Sequence, residues 1–131
     1  MFTLGKREKS FCIAGLIVSL LLGLFVYVTS GTHTYISDIV SLPTIHYPTT
    51  IVYYLCDFLW AFALCCGLRL LGNSMKNCLW ISLALSVSLE IMQIWSSIGT
   101  FDIFDILVEV SAIIIFMVVI NLLITKGKKK K

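Results

Sequence analysis

Residues 11–30 read FCIAGLIVSLLLGLFVYVTS, twenty residues without one charged side chain. A helix rises about 1.5 Å per residue and the hydrocarbon core of a bilayer is about 30 Å thick, so a run of this length crosses it. Three further apolar stretches follow, at residues 50–71, 78–98 and 103–125. The chain thus reads as an all-α membrane protein, a four-transmembrane-helix antiparallel bundle. Its 131 residues allow one domain, 1–131, with a lysine-rich tail at 126–131. Composition agrees: 59% of residues are apolar and 13% charged, against about 45–50% and about 25% in soluble domains. A soluble fold this small could not bury so much apolar surface in one core. A cleaved signal peptide competes for the first run, because Lys6, Arg7 and Lys9 form a basic lead. Signal cores usually stop after about 7–15 residues at a small-x-small site. This run is longer, and Val28-Thr29-Ser30 makes a weak site.

Orientation follows from the basic residues. All ten Lys and Arg fall in three places: Lys6, Arg7 and Lys9; Arg69 and Lys76; and Lys126 with residues 128–131. The first connection, 31–48, and the third, around 99–102, contain none. Positive charge stays on the cytoplasmic side, so both termini are expected there, N-in/C-in, in a multi-pass cell-membrane protein. The formal net charge of +3 is therefore a topology and lipid-headgroup signal. A nucleic-acid partner is excluded on the same ground, since a basic footprint needs a soluble face.

The short breaks at Gly72-Asn73-Ser74 and Gly99-Thr100 make neighbouring helices pack side by side. Gly15, Ser19 and Gly23 recur every fourth residue, a small-xxx-small stripe that lets helix backbones approach. The five cysteines, Cys12, Cys56, Cys65, Cys66 and Cys78, lie within or beside apolar runs and lack metal-type spacing. They read as small core residues, with lipidation of Cys65, Cys66 or Cys78 as the alternative. Tyr35 and Tyr47 of the first connection suit the outer aromatic belt.

The seven acids carry the functional signal. Glu8 and Asp38 read as water-exposed. Asp57, Glu90, Asp102, Asp105 and Glu109 fall within spans or at their ends. A carboxylate at mid-bilayer costs about 2.5–3.5 kcal/mol on insertion scales, so such residues face protein or water and mark function by default. Counted from the outer ends, Asp57 is about 10 Å deep, Glu90 about 12 Å, Glu109 about 9 Å and Asp105 about 3 Å. In the third span Ser82, Ser86, Glu90, Gln93 and Ser97 form one polar stripe at helical spacing, and Asp102, Asp105 and Glu109 form another in the fourth. No Lys or Arg lies at this depth. Carboxylates this close cannot all ionise cheaply, which calls for shared protons or a bound cation.

The segment SLEIMQ at 88–93, followed by GTFDIFDIL at 99–107, resembles the VanZ-like membrane proteins. That family's pattern is a Glu-x-x-Gln, matched by Glu90 and Gln93. A loop Arg, an aromatic-Asp and a second Asp follow, the last two matched by Phe101-Asp102 and Asp105. Asp57 matches an Asp near the end of the preceding helix. The resemblance covers residues 48–116. The loop Arg is absent here, with Gly99 or Thr100 in its place. Glu109 and Ala112 replace an Asn and a Gly, and 58–62 lacks the family's His. The resemblance implies a bacterial cell-envelope role linked to glycopeptide resistance of the teicoplanin type, and no named reaction.

Taken together, the residues point to an outward-facing intramembrane acidic pocket for a polar or cationic group. Membrane lipids, a lipid headgroup or a lipid-linked envelope precursor are the expected partners. Glu90 and Asp105 are central, Gln93 orients, and Asp57, Asp102 and Glu109 support. No cofactor motif is present. The plain alternative is that these groups only hydrogen-bond between helices. A proton- or cation-coupled carrier is a further reading, for which four spans are few, so that a homo-oligomer enters. A membrane enzyme using a carboxylate pair, or a metal held with His33 or His46, is the last; neither His has ligand-type spacing and no nucleophile has a paired base.

Overall fold

The computed structural model describes residues 4–30, 45–95 and 102–128. These form four helices: α1 (Lys6–Thr29), α2 (Thr49–Leu70), α3 (Met75–Trp95) and α4 (Ile103–Lys128), with no strand among the described residues. Each is long and apolar enough to cross a membrane. The basic segment that precedes the first apolar run is itself helical, because α1 begins at Lys6. Likewise α3 starts at Met75 rather than at 78, and α4 runs on to Lys128. The readings for His33, Tyr35, Asp38, Ser97 and the 99–101 connection lie outside the described residues.

The molecule is polar within and apolar without. Ile17, Leu21, Met92 and Val118 are each more than half exposed, whereas Glu8, Arg69, Ser82, Ser86, Glu90 and Glu109 are each 6% exposed or less. Water reverses that distribution; lipid, an apolar solvent that cannot satisfy polar groups, produces it.

α2 touches all three other helices, while α1 and α3 do not meet. The core is built of small and aromatic groups: Cys12, Cys65 and Cys66 with Ile113, Phe116 and Ile120, all fully buried. Phe62 of α2 joins three helices, meeting Phe11 of α1 and Phe116 of α4 edge-on at 6.2 and 5.9 Å between ring centres. Gly15 makes room for this cluster. A Cβ there would lie 3.0 Å from the Cys66 sulfur and 3.1 Å from the Phe62 ring. A Cβ at Gly23, two turns on, would meet only Leu59, at 3.9 Å. The small-residue stripe is thus tight at Gly15 and slack at Gly23. All five cysteines are free, and Cys65, Cys66 and Cys78 are fully buried, which removes them as accessible lipidation sites.

The α2–α3 connection shows why the chain turns where it does. Gly72 takes a φ of 83°, a conformation open to glycine, and the Asn73 N–H reaches back to the Leu68 carbonyl to close the helix end. Ser74 then caps α3, its hydroxyl accepting from the Asn77 N–H at 3.1 Å.

This end of the bundle corrects two expectations. Glu8 is buried rather than water-exposed, and Arg69 is a paired interior cation rather than a free topology marker. Glu8 lies one turn before buried Cys12 on the same helix face, so the packed side of α1 continues into its first turn. There it accepts from Nε of Arg69, whose other arm donates to the Asn73 carbonyl. One guanidinium thereby ties together α1, α2 and the turn into α3.

Removing one partner of a buried ion pair strands the other charge and costs about 3–5 kcal/mol, whereas replacing both with apolar groups is often neutral. Glu8→Gln and Arg69→Met should each lower thermal stability in detergent by that amount, and the Glu8→Met/Arg69→Met double variant should recover most of it. A single-variant loss below about 1 kcal/mol would mean that the pair contributes no more than an exposed one.

Candidate functional site

The opposite end of the bundle is acidic. Asp102 opens α4 as its N-cap: Oδ1 accepts from the Phe104 N–H at 2.9 Å, and its carbonyl accepts from the Asp105 N–H. Its Oδ2 accepts from the Tyr54 hydroxyl of α2 at 3.5 Å. The Asp102 N–H points to Oε2 of Glu90 at 3.5 Å, and Gln93 donates to Oε1 of Glu90 at 3.1 Å. These contacts join α2, α3 and the start of α4 through one carboxylate each from α3 and the α4 cap.

Below this rim the stripe read in the third span turns inward. Ser82, Ser86 and Glu90 are buried, each four residues from the next. Ser82 reaches the Cys65 sulfur at 3.2 Å. Ser86 and Glu109 face each other across α3 and α4 within loose hydrogen-bonding range, but neither the Ser86 hydroxyl nor Oε2 of Glu109 has a well-formed partner. Glu109 is 5% exposed and Ser86 1%. A buried polar atom left unpaired costs about 1–3 kcal/mol. Nearly all such atoms in folded proteins are satisfied.

Asp57 of α2 completes the set. It is half-buried and within electrostatic reach of Asp105, Glu109 and Glu90. The six residues singled out from the sequence thus lie together at one end. Gln93 contacts Glu90, which fits an orienting part. Among the described residues no Lys or Arg pairs with any of these carboxylates; the ion pair is Glu8 with Arg69, at the far end. No three described His, Cys, Asp or Glu side chains converge closely enough for a metal ion. The described carboxylates of the cluster are spread over α2, α3 and α4.

Several participants were missed in the sequence. Tyr54 lies one turn before Asp57, a spacing that places both on one face and could have flagged it. Tyr27, Ser30, Tyr47 and Tyr53 line a hollow beside Asp57, of about 150 Å³. Tyr27 and Cys56 are shared with an adjoining groove of about 330 Å³ between α1 and α2. Neither hollow has a one-dimensional signal, because each is lined by residues far apart in the chain.

If the Ser86 hydroxyl gains nothing from its loose contact with Glu109, removing it relieves the unliganded protein. Ser86→Ala should raise thermal stability in detergent by about 1 kcal/mol; a loss of stability would assign the hydroxyl to helix packing. No protein-family model, curated protein or solved structure matches the chain.

Proposed function

We propose that this is a cell-envelope membrane protein, a divergent VanZ-like chain, whose acidic cluster opens to the outer face and binds the polar or cationic group of a membrane lipid or lipid-linked envelope precursor. In this reading the helices form an antiparallel bundle with both termini in the cytoplasm. The Glu8–Arg69 end is then cytoplasmic and the Asp102 end external, which agrees with the position of every Lys and Arg in the sequence.

The observation that carries the reading is the clustering of buried Glu109, held by no more than a loose contact from Ser86, with Glu90, Asp105 and Asp57 and no base among the described residues to neutralise them. Helix packing alone is served by paired polar groups, as at Glu8 and Arg69. An incomplete network in a dry interior is instead what a site awaiting a donor looks like. Glu90 and Asp105 are the central groups, with Gln93 holding Glu90 in place. A carrier is less well supported, because Ile113 and Phe116 fill the core one and two turns beyond Glu109 and the polar groups thin out there to Ser82.

Topology is checked by fusions. A fluorescent protein after Lys131 should fold and glow, and alkaline phosphatase at that place should be inactive, while phosphatase inserted after Gly99 should be active. The reverse pattern overturns the outward orientation.

Function is checked in a glycopeptide-sensitive bacterial host. The wild type should lower susceptibility to a teicoplanin-type glycopeptide, and Glu90→Gln, at equal membrane abundance, should lose that protection. Equal protection by both removes Glu90 from the site. No protection by either separates this chain from the resistance role that its resemblance implies.

A further inference from the structure

The hollow beside Asp57 is walled by three aromatic rings, Tyr27, Tyr47 and Tyr53, and by one carboxylate. Aromatic rings combined with an acid that supplies charge are how proteins recognise ammonium groups, primary or quaternary. About 150 Å³ is room for a headgroup, not for a whole lipid. The adjoining groove has the opposite character. Ser19, Gly23, Leu59 and Trp60 line about 330 Å³ of almost wholly apolar space along α1 and α2. Tyr27 and Cys56 belong to both, so the headgroup-sized chamber gives directly onto a chain-sized groove.

The groove exists because of the small-residue stripe. At Gly15 a Cβ would be crowded by Cys66 and Phe62, whereas at Gly23 it would make only an ordinary contact with Leu59. The groove beside Gly23 is bounded by side chains that face lipid: Leu20, Leu24 and Trp60 are each about half exposed.

We propose that this pair of hollows binds a bilayer lipid with an ammonium headgroup, the ammonium lying against Tyr27, Tyr47, Tyr53 and Asp57 and one acyl chain lying in the α1–α2 groove. The choice of a cationic head rests on charge. Asp57 is backed by Asp105, Glu109 and Glu90, no described Lys or Arg pairs with them, and an anionic head would be repelled. The choice of a lipid rather than a soluble amine rests on the apolar groove, which offers a free ammonium nothing. This proposal deepens the acidic-pocket reading above and rests on its outward orientation; it names the lipid class and places the head at Asp57 rather than at Glu90.

Trp60 reports on the groove from within. In a Trp80→Phe/Trp95→Phe background it is the one remaining tryptophan. The protein is reconstituted into lipid nanodiscs containing a small fraction of brominated-chain phosphatidylethanolamine or, separately, brominated-chain phosphatidylglycerol. Quenching of Trp60 should show about a five-fold preference for the ethanolamine lipid, equivalent to about 1 kcal/mol. Asp57→Asn should abolish the preference while leaving chain contact, and Gly23→Leu should reduce quenching by both lipids by filling the groove. Both variants are compared at matched helicity and thermal stability. Equal quenching by the two lipids in the wild-type background overturns the proposal, as does a preference that survives Asp57→Asn. Loss of protection in Glu90→Gln alongside equal quenching would overturn this lipid assignment alone and leave the acidic pocket standing.

Discussion

A charge taken out of water must meet its opposite or be neutralised, and in a bundle bathed in lipid this requirement organises both ends of the molecule. Born-type costs of several kcal/mol per ion leave no room for a carboxylate that merely happens to point inward. At one end the requirement is met within the chain. Glu8 and Arg69 are buried against each other, and the remaining guanidinium arm closes the turn at Asn73. At the other end it is not met. Glu90 and Asp102 accept from Gln93, Tyr54 and backbone N–H groups, but among the described residues no cation meets these two or their neighbours Asp105, Glu109 and Asp57. The same physics that makes the first end a clamp leaves the second an uncompensated acidic cluster.

Between the two ends the packing grades in step. Cys12, Cys65 and Cys66 with Phe62 and Phe116 form a dense layer in which Gly15 has no spare volume. Two turns further along α1 the packing at Gly23 is looser, and the groove and the tyrosine-lined hollow lie from there toward the acidic end. A rigid, well-packed half thus supports an open half, the division of labour expected when polar groups have to be held in position without being buried against one another.

Much of this was legible in the sequence because the bilayer simplifies the code. Twenty-residue apolar runs, breaks at Gly72-Asn73-Ser74 and a four-residue polar period in α3 are one-dimensional signals, and they located the helices and gathered Asp57, Glu90, Asp102, Asp105 and Glu109. Glu8 was not legible. A charged residue in a basic terminal segment looks solvated until its helix face is followed to Cys12 and Arg69 is found opposite, 61 residues away. The tyrosine hollow was hidden for a related reason. Tyr27, Tyr47 and Tyr53 are unremarkable membrane-interface residues in sequence, and only the packing of α1 beside α2 brings them around one hollow.

The departures from the VanZ-like pattern take on a direction in this light. The position that holds a loop Arg in that pattern is Gly99 or Thr100 here, one positive charge fewer, and Glu109 stands where an Asn is expected, one negative charge more. Both changes push the same way. A site with an arginine at its rim and an amide at its base can share its carboxylates with an anionic or neutral group. A site lacking the arginine and carrying a buried glutamate without a well-formed partner repels anions and is completed by a donor with positive charge. Under the proposed lipid reading, the absent base and the added carboxylate both favour a positively charged group, and the hollow beside Asp57 is of a size to hold an ammonium.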